Sequence, residues 1–277
     1  MRDFNAYGTP SGIFLGLAFH DFATASVILF SKLDSAKSFL WQSSFFTWII
    51  LALFIIAQFI GLDYFMSPYE LTNIGYVLVA NYLLNILTTL GITTMMVYRV
   101  KIFFGKSSTI FKVMIAFQLI VLAFKGVGSF FGCLVSYQFQ IGVSQLATNV
   151  HFRDIGLFEA IGQAAEGIFS ACGSTAFIYA LTSSHSKQRQ KTFADIAVTP
   201  IGMRLIAILL LNFTIAVFGV WDYFDDNYID HTGFFMPSWT YALQLHTFLD
   251  LSYISAKKIV FGQVSSSHKM SGKDNSA

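Results

Sequence analysis

A chain of 277 residues that is 55% hydrophobic and only 12% charged is excluded from the class of ordinary soluble domains, in which roughly a quarter of residues are charged. A net charge of +2 gives no basis for a nucleic-acid partner. The two cysteines, Cys133 and Cys172, both fall in apolar stretches and specify no disulfide framework.

In chain order, seven apolar stretches reach the length a helix needs to cross a bilayer, roughly 17–25 residues. They lie near residues 12–30, 41–61, 75–98, 110–134, 155–181, 201–221 and 235–259. Pro10, Pro68, Pro200 and Pro237 fall at or beside the ends of these stretches, where a missing N–H is tolerated. Trp41, Trp221 and Trp239 also lie at ends, as an interfacial aromatic belt requires. The predicted fold is an all-α membrane protein, one domain made of a seven-transmembrane helix bundle. The first stretch is long and contains His20 and Asp21, which marks it as an uncleaved anchor instead of a cleavable signal peptide.

Basic residues set the orientation. Lys32 and Lys37, then Arg99, Lys101, Lys106 and Lys112, then Lys187, Arg189, Lys191 and Arg204, and finally Lys257, Lys258, Lys269 and Lys273 all fall on one side if the chain crosses seven times. The other side gathers Asp63, Glu70, Asp154, Asp222, Asp225, Asp226 and Asp230. The N-terminus is therefore predicted outside and the C-terminus cytoplasmic. Val135, Tyr137, Phe139, Ile141 and Val143 alternate with polar or small residues, a period-2 pattern that fits a short strand or hairpin in the outer loop as well as an irregular connection. The polar tail 262–277 is predicted disordered.

The fifth stretch carries Glu159, Gln163, Glu166, Ser170 and Gly173 on one helical stripe, beside small residues that admit a neighbouring helix. Counted inward at about 1.5 Å per residue, Asp21, Asn85, Lys125, Glu166 and His246 reach the middle of the bilayer. An unpaired ammonium there costs several kcal/mol, so Lys125 is expected to pair with Glu166 or Asp21, in a functional role or as cement between helices. Glu159 lies only about one turn from the boundary, where water reaches it and no special role is needed. On the seventh stretch His246, Asp250, Tyr253 and Lys257 share a face; a His and an Asp at that spacing can relay a proton or mutually satisfy one another, but two ligands do not make a metal site. Asn81, Asn85, Thr88 and Thr89 line one face of the third stretch, as glue or as a cavity wall. The candidate polar cavity is thus Asp21, Asn85, Lys125, Glu166, His246 and Asp250, with Arg99, Lys101 and Arg189 as a cytoplasmic partner face. No catalytic residue, metal or cofactor is assigned.

Seven helices with the N-terminus outside and short loops resemble the architecture of G-protein-coupled receptors, and Tyr98-Arg99 stands where that family ends its third helix with an acidic-Arg-aromatic triplet. The similarity is one of topology. No acidic residue precedes Arg99, stretches five and six contain no internal proline, and the seventh has no Asn-Pro turn, so membership is not assigned. Ser255-Ala256-Lys257 before Phe261-Gly262 is similar to the retinal-lysine segment of microbial rhodopsins, although the third stretch lacks that family's carboxylates. Heptahelical hydrolases of the alkaline ceramidase and progestin-receptor-like type pair two histidines as HxxxH on helix 7, where this chain has His246 and Asp250. The sequence favours a receptor-like or sensor protein of the plasma membrane, with the lipid bilayer, a small-molecule ligand and a cytoplasmic signalling protein as partners. A transporter of protons or a small amphipathic molecule is the alternative, and an intramembrane enzyme the third.

Overall fold

The computed structural model describes residues 4–32, 38–66, 73–143, 151–183, 199–224 and 236–251. Among them there are seven helices and no strand: α1 (Phe4–Phe30), α2 (Phe39–Met66), α3 (Ile74–Phe104), α4 (Thr109–Gln140), α5 (Phe152–Ser183), α6 (Pro200–Phe224) and α7, residues 236–251. Five of them contain segments long and apolar enough to cross a membrane, within α1, α2, α3, α4 and α6. The two not in that set, α5 and the described part of α7, are those richest in polar side chains.

Local chemistry explains the ends. Ser108 caps α4 by accepting a hydrogen bond from the Phe111 N–H at 3.2 Å, satisfying one of the donors a helix start leaves free. Gly105 closes α3 with φ +79° while its N–H returns to the Lys101 carbonyl, a conformation for which glycine pays no Cβ penalty. Two expectations change. The first helix begins at Phe4, which puts Pro10 inside it instead of at its edge. The period-2 pattern after Val135 is not a strand as far as it is described: α4 continues to Gln140, where the Gln140 side chain accepts from the Gly75 N–H at 2.8 Å and ties the end of α4 to the start of α3. Residues 144–150 and 252–277, with Tyr253, Lys257 and the tail, lie outside the described residues.

Burial is inverted relative to a soluble protein. Asn81, Asn85, Lys125, Gln163, Glu166 and Asn212 are buried, while Ile13, Leu53, Leu83, Phe130 and Leu210 are among many large apolar side chains facing outward. Such a surface is stable only against hydrocarbon, so the molecule is an integral membrane protein.

Neighbours in sequence pack as neighbours in space, α1 on α2, α2 on α3, α3 on α4, α4 on α5 and α5 on α6, with α3 also touching α5. The last helix fills the middle. Along α7 only Trp239 and Asp250 escape full burial, and it reaches every other helix. Trp239 stacks on Phe14 of α1, Tyr241 meets Phe54 of α2 and Thr89 of α3 as well as Lys125 of α4, Gln244 donates to Ser170 of α5, and Asp250 pairs with Arg204 of α6. A helix with polar and apolar residues on every side must be enclosed on every side.

Candidate functional site

The antiparallel pair α4 and α5 sets the site. Gly162 of α5 lies against Lys125 of α4, so a Cβ there would sit 3.0 Å from Lys125 Cγ; three residues away, Gly128 of α4 faces Glu159 in the same manner. The lysine stem therefore runs through the gap left by a glycine. Glu159 and Glu166 flank Gly162 by three residues on one side and four on the other, one turn above and one turn below on the same face. Both reach the ammonium, at 3.4 Å for Glu159 Oε2 and 3.6 Å for Glu166 Oε2.

Lys125 also donates to Gln163 Oε1 and, at 3.2 Å, to the Tyr241 hydroxyl. That hydroxyl donates to Asn85 Oδ1 at 2.7 Å and lies 2.8 Å from Thr89 Oγ1. The Asn85 amide in turn faces both oxygens of Glu159 at 3.4 Å. Gln163 passes the network to Asn212 of α6, whose amide donates to the Ile208 carbonyl. Lys125, Glu166, Gln163 and Tyr241 are fully buried, whereas the Glu159 side chain is 18% exposed. Three helices, α4, α5 and α7, thus meet at the ammonium, and α3 and α6 join the same network through Asn85 and Asn212.

Asp21 is not part of this cluster. It pairs with His246, whose Nδ1 is 3.0 Å from Asp21 Oδ1 and whose Nε2 is 3.5 Å from Asp250. The Trp239 indole donates to the other Asp21 oxygen at 3.0 Å, and Asp250 continues to Arg204. The two imidazole nitrogens point at different carboxylates, so they cannot converge on one ion, and among the described residues no three His, Cys, Asp or Glu side chains group as a metal would require. The polar residues expected in one layer therefore form two clusters, centred on positions 241 and 246 of α7, roughly 7.5 Å apart along its axis.

Arg99 differs from its expected placement on the inner surface. It is 5% exposed; its guanidinium donates to the Phe248 carbonyl and lies 4.6 Å from the Phe248 ring. Lys32, just beyond α1, donates to the neighbouring Leu249 carbonyl at 3.2 Å, and burial, reinforced by Arg99, holds its ammonium below the usual lysine range against the opposing pull of Asp250. Lys101 is half-buried with its ammonium over the Tyr98 ring, and Arg189 lies outside the described residues.

Two members of the Lys125 cluster, Tyr241 and Asn212, are not among the residues the sequence points to, and Glu159 reaches the ammonium although its depth alone assigns it no role. The spacing Glu-x2-Gly-x3-Glu is the signal that could have found Glu159, because it places two acids on either side of a slot. Nothing local marks Tyr241, whose role follows from α7 being central. Comparison with family models, curated proteins and solved structures finds no match for the chain.

Proposed function

We propose that the protein is a seven-pass membrane protein with its N-terminus outside and its C-terminus in the cytoplasm, and that it works as a receptor-like sensor. The observation that carries this reading is the central helix. One element, α7, makes polar contacts with α1, α3, α4, α5 and α6, so any shift of α7 changes pairing in the Lys125 cluster at mid-height and in the Arg99 clasp at one end together. Packed polar networks of this kind have discrete arrangements and are the element a two-state switch needs. The basic residues at the ends of α3 and α6 favour the cytoplasmic assignment of that end.

The test is a distance measurement between spin labels at Lys101→Cys and Met203→Cys, in a Cys133→Ser, Cys172→Ser background in lipid nanodiscs. Two distance populations whose ratio changes with Glu166→Gln are expected; a single distance indifferent to that substitution overturns the sensor reading. Proton transport is the second reading, favoured by the partial exposure of Glu159 in one cluster and Asp250 in the other, 18% and 28%. Proton flux in proteoliposomes that disappears with Glu166→Gln decides for it.

A further inference from the structure

Helix α1 turns an ionisable side chain outward at the middle of the membrane. His20 stands at the centre of the 21-residue apolar span Pro10–Phe30, and its side chain is 76% exposed. At that height the surroundings of the bundle are hydrocarbon, whereas ionisable residues inside a membrane face a bundle interior or a water-filled cavity. Asp21 is 3.8 Å from His20, but its two oxygens are engaged by His246 and by the Trp239 indole. A neutral imidazole carries one donor and one acceptor, and a polar atom left against lipid tails costs free energy.

The face around His20 is shaped for close approach. Gly12 and Gly16 precede it at intervals of four, so the three share a stripe, and Ala23 is exposed on the same face. The opposite face, with Leu15, Ala18, Ala25 and Leu29, is fully buried where α1 meets α2 and α7. A Cβ built on Gly75, Gly91, Gly132 or Gly173 would come within 2.5 Å of a neighbouring helix, so each of those glycines is where two helices of the bundle close on one another. A Cβ built on Gly12 or Gly16 would meet nothing within 4 Å. Two small residues four apart are the spacing at which membrane helices pack most closely, and on α1 that spacing points out of the bundle, next to the histidine.

We propose that this face of α1 pairs with the same face of α1 in a second copy of the chain, the two helices crossing at Gly12 and Gly16 and the two His20 side chains meeting at mid-membrane. Two copies inserted in one membrane have the same orientation, so their two-fold axis lies along the bilayer normal and α1 meets α1 in parallel. Residues of equal depth then face one another. The second copy is the occupant that fits, because His20 needs a group at its own depth offering both a donor and an acceptor, and another His20 is such a group. One imidazole N–H donates to the bare nitrogen of the other ring, and no charge is left in the hydrocarbon. The pairing does not depend on any movement of α7, so it stands or falls apart from the sensor reading.

The experiment is disulfide cross-linking of the full-length chain in proteoliposomes at a high lipid-to-protein ratio, with one cysteine introduced into a Cys133→Ser, Cys172→Ser background. Ala23→Cys, one turn from His20, is expected to give a covalent dimer on oxidation; Leu119→Cys, at a position of α4 that is 63% exposed, is not. Adding Gly16→Ile to Ala23→Cys blocks the approach and is expected to abolish the dimer. The open space at Gly16 keeps the Tm in detergent at or above that of the parent, since isoleucine is a better helix former than glycine. Adding His20→Leu instead, which keeps the glycines, is expected to lower the association constant about 3- to 30-fold, the contribution of one interhelical hydrogen bond in lipid, read from yield against protein dilution and with Tm unchanged. A yield at Ala23→Cys no higher than at Leu119→Cys overturns the proposal, and so does a yield that either added substitution leaves as it was.

Discussion

The two polar clusters sit about one and a half turns apart on α7, and they are opposite kinds of site. Around Lys125 all but Glu159 is sealed, the acids outnumber the base, and one Glu166 oxygen has no donor. Around His246 the carboxylates alternate with His246 and Arg204, and Asp250 and Arg204 are 28% and 25% exposed. Burial separates them. The same ionic chemistry that is screened and adjustable where solvent or head groups reach it becomes all-or-none where nothing does.

The contrast is broken most directly by Lys125→Met. Removing the ammonium leaves the buried Glu166 and the part-exposed Glu159 uncompensated, and a loss of about 3–5 kcal/mol is expected, read as collapse of the monodisperse fraction after a heat challenge in detergent. Adding Glu166→Gln to Lys125→Met is expected to restore most of that loss; a double variant no better than the single one means the pair is not coupled. A smaller effect is expected at the slot. Gly162→Val forces a branched side chain against the Lys125 stem, 3.0 Å from where a Cβ would stand, and overpacking of this type costs about 1–3 kcal/mol. If its melting temperature matches that of the parent, α4 and α5 are not held at the spacing described. The smallest effect belongs to the open cluster. Arg204→Gln removes a part-exposed ion pair and is expected to lower stability by about 1 kcal/mol or less, with a salt dependence that Lys125→Met lacks; equal losses for the two substitutions would erase the distinction drawn between the sites.

Helix positions were readable because long apolar runs leave few alternatives: each of the seven expected stretches overlaps a helix, and several helices run past the expected ends by a turn or more. The extension of α4 to Gln140 was hidden by an alternation of Val135, Tyr137 and Phe139 that resembles a strand; Val135 and Ser136 are buried and Tyr137 is exposed, so tertiary packing overrode the local pattern. Charge and depth alone narrowed the partner of Lys125 to Glu166 or Asp21, and the structure pairs it with Glu166. That Asp21 would turn to His246 was not, since depth says which residues are level but nothing about which helices are adjacent. Arg99 shows the same limit. A basic residue at a helix end is assigned to the surface by rule, and only the proximity of Phe248 explains why it turns inward.

The enclosure of α7 has a consequence for biosynthesis. Of the seven helices it is the last to leave the ribosome, yet it occupies the centre that the other six surround. Until it arrives, Asn85, Lys125 and Glu166 have no Tyr241 to share, and α1 has neither Trp239 nor His246 to hold its Asp21. The first six helices must therefore wait as an open ring around a polar gap, and assembly ends with the insertion of a core instead of the addition of a rim.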